Sequence, residues 1–409
     1  MRVRLAEFAR NTSDGKEAAR IIGSCVHCGF CTATCPTYQV LDHELDSPRG
    51  RIYLIKQMLE GGPVSGTTRN HLDLCLSCRG CETTCPTGVE YGRLVDIGRA
   101  MASEQAPRSW ALRLVRSAVR QFLLARPLFS LSLKSTRAIR PLLPDVLAKR
   151  IPEAPPAGPW PVARHSRKVI VLYGCVQPAL APRIDAALAR VLDQAGVSLI
   201  HVARSGCCGA VSQHLDNRAD ALQRARQNID AWWPHIEANA EAIVATASGC
   251  GSMLKDYGYL LRDDPLYAAK AARISELQLD TAQIIGRYWN VLRDKLVPLA
   301  EPHALAFHPP CSLQHGLKVR GDTEKILLDM GYTLKTVRDA HLCCGSAGTY
   351  SIFNPHVANE LRLRKLSSLQ EHDPECIVTS NFSCITHLQS GTATPIRHWI
   401  EILDERLQA

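Results

Sequence analysis

The sequence contains no long hydrophobic run. No stretch of 18 apolar residues occurs anywhere in the 409 residues, so no transmembrane helix is expected. The first twenty residues, MRVRLAEFARNTSDGKEAAR, are polar and charged and lack the apolar segment of a signal peptide. These two absences predict a cytoplasmic chain, in which thiols stay reduced.

Several common catalytic motifs are also missing. The sequence has no G-x-G-x-x-G and no phosphate-binding loop, so neither a dinucleotide nor a flavin site is predicted. It has no H-E-x-x-H and no Ser–His–Asp pattern. We therefore expect no catalytic residues and no flavin in this chain, and no site where it would oxidise a substrate by itself.

What the sequence does contain is cysteine. The 17 cysteines are an odd number, which excludes complete internal disulfide pairing. In a long chain with reduced thiols, clustered cysteines more often bind metal or carry out redox chemistry. Eight lie in residues 1–104, none in 105–168 and nine in 169–409.

Two cysteine quartets occupy the N-terminal block. They read CVHCGFCTATCP and CLSCRGCETTCP, and each is the C-x₂-C-x₂-C-x₃-C-P run of two-cluster bacterial ferredoxins. Structural zinc also takes four cysteines, but zinc sites pair C-x₂-C with a distant second pair. The complete run, present twice, favours two [4Fe–4S] clusters.

In such runs the fourth cysteine binds the other cluster. We therefore predict crossed ligand sets. The first cluster takes Cys25, Cys28, Cys31 and Cys85; the second takes Cys75, Cys78, Cys81 and Cys35. Gly29 and Gly80 are expected to let backbone N–H groups approach the sulfurs.

The C-terminal block contains an internal repeat. Three of its cysteines recur 136 positions later, and a fourth recurs 134 positions later. The corresponding sets are Cys175, Cys207, Cys208 and Cys250, and then Cys311, Cys343, Cys344 and Cys384. Short β-rich runs alternate with helical patterns around both sets, as in KVIVLYGC followed by APRIDAALARVLDQAG. This alternation predicts two similar α/β units.

Each repeated unit contains an adjacent pair of cysteines before a glycine. Neighbouring Cα atoms lie about 3.8 Å apart, which is too close for a relaxed disulfide. In extended backbone the two thiols would point to opposite sides, so one could reach a metal while its neighbour serves another role. The repeated units predict an additional redox or metal site, and a cluster, zinc or a thiol pair all remain open.

These features predict a multidomain chain. An α-helical two-cluster ferredoxin domain is expected over 1–104, followed by a basic, proline-containing linker over 105–168. Two repeated cysteine-rich α/β domains, named CCG domains after their doublets, are expected over 169–300 and 301–409. Residues 105–168 carry thirteen Lys or Arg against Asp145 and Glu153, whereas the whole chain has a net charge of +9.

The quartets and doublets together resemble the iron–sulfur subunits of bacterial glycolate oxidases. The resemblance runs over essentially the whole length. It is carried by SCVHCGFCTATCPTYQ, DSPRGRIYLIKQ, CRGCETTCPTGV, CCGAV, NIDAWWP, TASGCG, HLCCGSAGTY and IRHWIEI. It implies two flavin-type partner subunits that oxidise glycolate to glyoxylate, with electrons passing through this chain to a membrane quinone or another acceptor.

The same plan occurs in relatives with other substrates. These relatives serve lactate utilisation, glycerol 3-phosphate dehydrogenase and heterodisulfide reductase. The main alternative is the equivalent electron-transfer subunit of a dehydrogenase for lactate or another 2-hydroxy acid, or for glycerol 3-phosphate. In the heterodisulfide reductase relatives the domain ends in C-x-x-C, but here Ala247 and Asn381 replace the first cysteine. A nucleic-acid-binding iron–sulfur protein is a remote alternative, disfavoured because the positive charge is confined to one segment; no nucleic-acid partner is predicted.

The basic segment includes a predicted amphipathic helix. Arg113, Arg116 and Arg120 recur at helical spacing beside an apolar stripe of Leu112, Val115, Val119 and Phe122. Such a helix suits an anionic membrane surface or an acidic partner groove. We predict peripheral attachment to the cytoplasmic face of the inner membrane through this helix.

Overall fold

The computed structural model describes residues 1–142 and 156–408. The chain forms two compact units. The first consists of Met1–Arg116 and Asp339–Lys365; the second consists of Ser117–Arg338 and Leu366–Ala409.

Short helices dominate the N-terminal residues. The helices are Glu7–Arg10, Ser13–Ser24, Phe30–Ala33, Pro36–Leu41, Pro48–Leu59, Gly66–Asp73, Gly80–Thr84 and Tyr91–Gln105, with a 3₁₀ turn at Glu44–Asp46. The helix Pro48–Leu59 begins where the Ser47 side chain accepts a hydrogen bond from the Gly50 N–H and where proline occupies the first turn. Its Ile55 and Met58 pack with Leu94 of the helix Tyr91–Gln105 in one core. The predicted helical character of this block is confirmed.

The described part of the predicted linker is largely helical. Residues Trp110–Leu124 and Arg126–Ile139 form two helices, followed by a 3₁₀ turn at Arg140–Leu142. The acidic residues Asp145 and Glu153 lie outside the described residues. No helix in the described part of the chain is both long and apolar enough to cross a membrane.

Two parallel four-stranded sheets follow. Strands β1 (Arg167–Val171), β2 (Val197–His201), β3 (Ala242–Ala245) and β4 (Gln278–Asp280) pair in the order β2-β1-β3-β4. Strands β5 (Ala304–His308), β6 (Thr333–Lys335), β7 (Cys376–Thr379) and β8 (Ile396–His398) pair in the order β6-β5-β7-β8. The identical order confirms the predicted pair of α/β units.

Helices connect these strands. In the first repeat they are Gln177–Leu180, Pro182–Gln194, Ala210–His214, Arg218–Glu237, Ser248–Lys255, Tyr257–Leu260, Ala268–Leu277, Thr281–Arg287 and Trp289–Arg293. In the second they are a π-helix at Ser312–Leu317 and α-helices Asp322–Asp329, Tyr350–Phe353, Pro355–Leu369, Phe382–Gln389 and Trp399–Gln408. Helices on a parallel sheet bury its strands, and all four residues of β3 are buried.

The two sheets share one hydrophobic core within the second unit. Val169 and Val171 of β1 pack in the same cluster as Phe307 of β5 and the fully buried Trp399. Ile170, between the two valines, faces a second core instead, as the alternation of side chains along a strand requires. The His398 Nε2 lies 3.0 Å from the Thr246 carbonyl oxygen, which adds a polar link between the two repeats.

A buried carboxyl group lies at the end of β3. Asp185 Oδ1 accepts hydrogen bonds from Gln177 Nε2, at 3.0 Å, and from the Thr246 hydroxyl. Burial raises the pKa of Asp185 from its ordinary value of 3.8 to about 7. The folded protein therefore holds this proton more tightly than the unfolded chain does.

We predict that Asp185→Asn stabilises the protein at pH 8 but not at pH 4. The stabilisation that comes from the folded state's higher proton affinity is complete below the unfolded pKa of Asp185 and is lost as pH rises towards 7. An amide stays neutral, so the variant should gain at most about 4 kcal/mol in free energy of unfolding at pH 8. Denaturant unfolding at both pH values measures this, with the exposed Asp294→Asn as the control. A gain of equal size at both pH values would contradict the assignment.

Candidate iron–sulfur sites

The two quartet loops adopt matching backbone conformations. Cys25 ends the helix Ser13–Ser24, and the positive φ angles of His27 (60°) and Gly29 (86°) turn the chain so that the next helix starts at Phe30. The second loop has positive φ at the equivalent positions, Ser77 (52°) and Arg79 (59°). Glycine suits the positive φ angle at position 29 of the first loop. Gly80 does not occupy the equivalent position in the second loop, because it lies in a helix and has no positive φ angle.

Each loop borders a cavity that also receives a cysteine from the other loop. The first cavity has about 420 Å³ of empty space, including the part open to solvent, and is lined by Cys25, Cys28, Cys31, Cys81 and Cys85. The second has about 300 Å³ on the same measure and is lined by Cys35, Cys75, Cys78 and Cys81. Tertiary structure thus brings Cys85 to the first loop and Cys35 to the second.

Hydroxyl and amide groups surround the fourth cysteine of each loop. Thr37 Oγ1 lies 3.2 Å from Cys35 Sγ, and Thr87 Oγ1 lies 3.4 Å from Cys85 Sγ. The Val89 N–H donates to Cys85 Sγ at 3.5 Å. Sequence reasoning missed these two threonines, although the duplicated C-P-T triplet was a visible signal.

The buried thiols of the quartets resist ionisation. Burial raises the pKa of Cys31 to about 11 and that of Cys81 well above the ordinary range. Burial opposes ionisation of Cys85 as well, but hydrogen bonds from Thr87 and Val89 lower its pKa overall. A thiolate in such surroundings needs a bound cation, and an all-sulfur donor set is suited to zinc or an iron–sulfur cluster. The donor set therefore fits two [4Fe–4S] clusters.

In the first repeat the structure brings four predicted cysteines together. Their sulfurs interact in a chain from Cys175 to Cys207, from Cys207 to Cys208 and from Cys208 to Cys250. The contacts from Cys175 and Cys208 lower the pKa of Cys207 well below its ordinary value, and the Gly209 N–H also donates to Cys207 Sγ at 3.4 Å. The two doublet thiols lie close enough to interact, so the divergence expected for an extended backbone does not occur here.

The cysteines of the second repeat are divided between the two units. Cys343 and Cys344 are buried in the first unit, where the Gly345 N–H donates to Cys343 Sγ at 3.5 Å. Cys311 and the buried Cys384 belong to the second unit. Cys376, which the repeat does not include, lies on β7.

The arginines of the predicted amphipathic helix differ in their surroundings. Arg113 is exposed, but Arg116 lies over the Phe353 ring at 5.0 Å and Arg120 faces Asp220. No residue of this helix is buried, and its Trp110 and Leu114 side chains are 74% and 61% exposed. The helix is confirmed, but its apolar side chains are more available for contact than two of its three arginines.

Comparison with known families agrees with this arrangement. Residues 21–89 match the 4Fe–4S dicluster domain family, and residues 169–255 and 305–389 each match the cysteine-rich domain family. The matched ranges contain both cysteine quartets and both repeated sets.

Curated relatives extend the similarity to the whole chain. The chain is 49% identical over 411 residues to the glycolate oxidase iron-sulfur subunit of Escherichia coli, with complete coverage of both proteins. It is 27% identical to the probable glycolate oxidase iron-sulfur subunit of Bacillus subtilis, covering 94% of this chain and 91% of that protein. Lactate utilization protein A of an Exiguobacterium strain is 24% identical but covers only 58% of this chain. The full-length similarity and the paired cysteine cavities show that the chain belongs to the glycolate oxidase iron–sulfur subunit family.

Proposed function

We propose that this chain is the electron-transfer subunit of a glycolate oxidase complex. The observation that carries the proposal is the pair of adjacent cavities, each lined by cysteines from both quartet loops. Two clusters in neighbouring cavities form a path for single electrons between a donor and an acceptor. Full-length similarity to the Escherichia coli subunit supports glycolate as the substrate of the complex.

The proposed ligands are the two crossed sets. Cys25, Cys28, Cys31 and Cys85 hold one [4Fe–4S] cluster, and Cys75, Cys78, Cys81 and Cys35 hold the other. Cys81 also borders the first cavity, but the C-x₂-C-x₂-C run assigns it to its own loop. The clusters supply one-electron chemistry; the protein residues hold them, exclude water and supply hydrogen bonds to sulfur.

The cysteines of the first repeat are proposed as a further metal or redox site. Interacting sulfurs from three separate chain segments with strongly perturbed pKa values are typical of a functional site. By the sequence repeat, Cys311, Cys343, Cys344 and Cys384 are candidates for the same role.

The proposed partners are two flavin-type subunits. These would oxidise glycolate to glyoxylate and pass electrons to this chain, which would deliver them to a membrane quinone or another acceptor. A lactate-oxidising complex is the second candidate, because two lactate utilization relatives are 24% and 23% identical to this chain and each covers 58% of it.

We further propose that the complex is cytoplasmic and contacts the inner membrane at the helix Trp110–Leu124. Trp110, Leu114 and Val115 are exposed apolar side chains on that helix, and Arg113 beside them is an exposed cation. Apolar groups flanked by a cation match the boundary between acyl chains and anionic headgroups.

Cys35→Ser should remove the cluster of the second loop. Anaerobically purified protein should contain about eight iron and eight sulfide in the quartets, and the variant should lose about half of this content. Iron and sulfide assays of the full chain, with Cys376→Ser as the control, measure the loss. Electron paramagnetic resonance shows which cluster is lost, because Cys28→Ser and Cys78→Ser should each remove the signal of one cluster. If Cys35→Ser removed the signal that Cys28→Ser removes and kept the signal that Cys78→Ser removes, the crossed sets would be contradicted.

Cys78→Ser should uncouple substrate oxidation from delivery of electrons. In a complex with the flavin-type subunits, glycolate should still reduce the flavin while reduction of a quinone analogue falls at least tenfold. Stopped-flow absorbance follows both events, and Cys376→Ser should behave as wild type. Lactate tested in parallel separates the two candidates: faster flavin reduction by lactate than by glycolate would favour the second.

Leu114→Glu combined with Val115→Glu should release the complex from membranes. Cosedimentation with vesicles containing an anionic phospholipid should fall severalfold, because two carboxylates replace apolar contacts and repel the headgroups. Leu266→Glu, which changes an apolar residue that is 79% exposed outside this helix, should leave binding unchanged. Equal binding of all three proteins would show that this helix is not the contact.

A further inference from the structure

The two cavities differ in how far their cysteines are from solvent. In the first set Cys28 is exposed, and Cys31 and Cys85 are partly buried. In the second set Cys35, Cys75 and Cys81 are all buried, and only Cys78 is partly accessible. Exposed apolar side chains at Val26 and Phe30 flank the first set. The first cavity is thus the more accessible of the two to a partner.

A buried arginine lies beside the second cavity. Arg51 is only 1% exposed and lines this cavity. Its guanidinium donates to the His71 carbonyl oxygen at 2.6 Å and to Thr37 Oγ1 at 3.1 Å. Its nearest carboxylate oxygen, Asp46 Oδ1, is 3.5 Å away and lies 2.8 Å from His71 Nδ1 as well. The positive charge of Arg51 is therefore only weakly compensated.

A second arginine binds the backbone of the same loop. Arg99 donates to the Leu72 carbonyl oxygen at 3.1 Å, to Ser77 Oγ at 2.9 Å and to the Cys75 carbonyl oxygen. All three acceptors are neutral, and no carboxylate in the described residues lies within ion-pair distance of Arg99. The charges of Asp96 and Asp73 also act on Arg99, and Asp73 is itself paired with Arg108.

The arginine near the first cavity is compensated. Arg49 approaches Gly29, but its guanidinium binds both oxygens of the Glu44 carboxylate, at 2.6 and 3.0 Å. Its side chain is also one-third exposed, so water screens what remains of its charge. The two cavities therefore differ in net local charge as well as in burial.

Two tyrosine hydroxyl groups add to this difference. The Tyr91 hydroxyl donates to Cys75 Sγ at 3.8 Å. The Tyr350 hydroxyl is buried, and no hydrogen-bond partner reaches it among the described residues. Burial raises the pKa of Tyr350, and the charges that act on its hydroxyl include those of Arg51, Cys75, Cys343 and Arg99, so this hydroxyl shares the electrostatic surroundings of Cys75.

We propose that Arg51, Arg99, Tyr91 and Tyr350 give the cluster at Cys75 a higher reduction potential than the cluster at Cys28. An electron that enters at the exposed loop would then move to the buried cluster, oxidising the first by one electron and reducing the second by one, with no change in bonding. Burial alone would disfavour the added negative charge. Two guanidinium groups, one weakly paired with Asp46 and the other without a carboxylate at ion-pair distance among the described residues, oppose that penalty, and hydrogen bonds to sulfur also raise cluster potentials.

The proposal rests on the crossed ligand sets and is tested on the full-length, anaerobically purified chain. A redox titration followed by electron paramagnetic resonance should resolve two quartet signals, and the signal of higher potential should be the one lost in Cys78→Ser. The signal of lower potential should be the one lost in Cys28→Ser. Any additional signal from the repeated units is unaffected by both changes and is recognised in that way.

Substitutions of the surrounding residues distinguish an electrostatic effect on the reduction potential from a structural effect on the cluster. Arg99→Met and Tyr350→Phe should each lower the potential of the Cys78-dependent signal without changing iron content, whereas Arg99→Lys should restore most of the loss. The exposed Arg113→Met and the exposed Tyr53→Phe are the matched controls and should move neither potential.

Iron and sulfide content distinguishes the two levels of failure. Wild-type protein that contains no iron after anaerobic purification would contradict the proposed clusters themselves. Full iron content with the higher potential at the Cys28-dependent signal would overturn only the order of the two clusters. Full content with unchanged potentials in both Arg99→Met and Tyr350→Phe would overturn the role of these residues.

Discussion

The constraint on which the first unit depends is the need to gather buried sulfur ligands from two separate loops. Each cavity takes a cysteine from the other loop, so neither site is complete unless both loops are placed together. The helices Pro48–Leu59 and Tyr91–Gln105 supply that placement, because they share one core with Cys25, Cys75 and Cys81. The packing of the helical core therefore fixes the geometry of both sites.

Placing several thiolates close together in a weakly polar interior costs free energy. Burial disfavours thiolates and neighbouring thiolates repel one another, and both effects raise the pKa values of Cys31 and Cys81. Hydrogen bonds at Cys35 and Cys85, and arginines around Cys75, stabilise negative charge on the sulfurs. Because these compensating groups are unequal, two loops with the same cysteine spacing provide unequal electrostatic surroundings.

The repeated units also bring cysteines together, but they do so with parallel sheets. Each is a small parallel sheet, and the two pack Val169, Phe307 and Trp399 into one core. This rigid core holds the ends of the strands, from which the loops of Cys175 and Cys207 extend. Cysteines far apart in sequence then meet, as the contact between Cys208 and Cys250 illustrates.

The sequence by itself determined the features that depend on local spacing. The C-x₂-C-x₂-C-x₃-C-P runs, the displaced repeat and the alternation of β-rich and helical segments were sufficient to predict the ferredoxin-like block and two similar α/β units, because these patterns follow from backbone geometry. Composition was a weaker guide: the arginine-rich segment was interpreted as a linker, and helical spacing predicted only the first of the two helices that its described part forms.

Only the tertiary structure decided which groups surround each site. Tyr350 is 275 positions from Cys75 in sequence, and nothing local to either residue indicates that they share an electrostatic environment. Likewise, Arg49 and Arg51 are two residues apart on one helix, yet Arg49 is neutralised by Glu44 while Arg51 is buried beside the second cavity. Spacing identifies ligands because one loop must wrap one cluster, but charge compensation depends on contacts between distant segments.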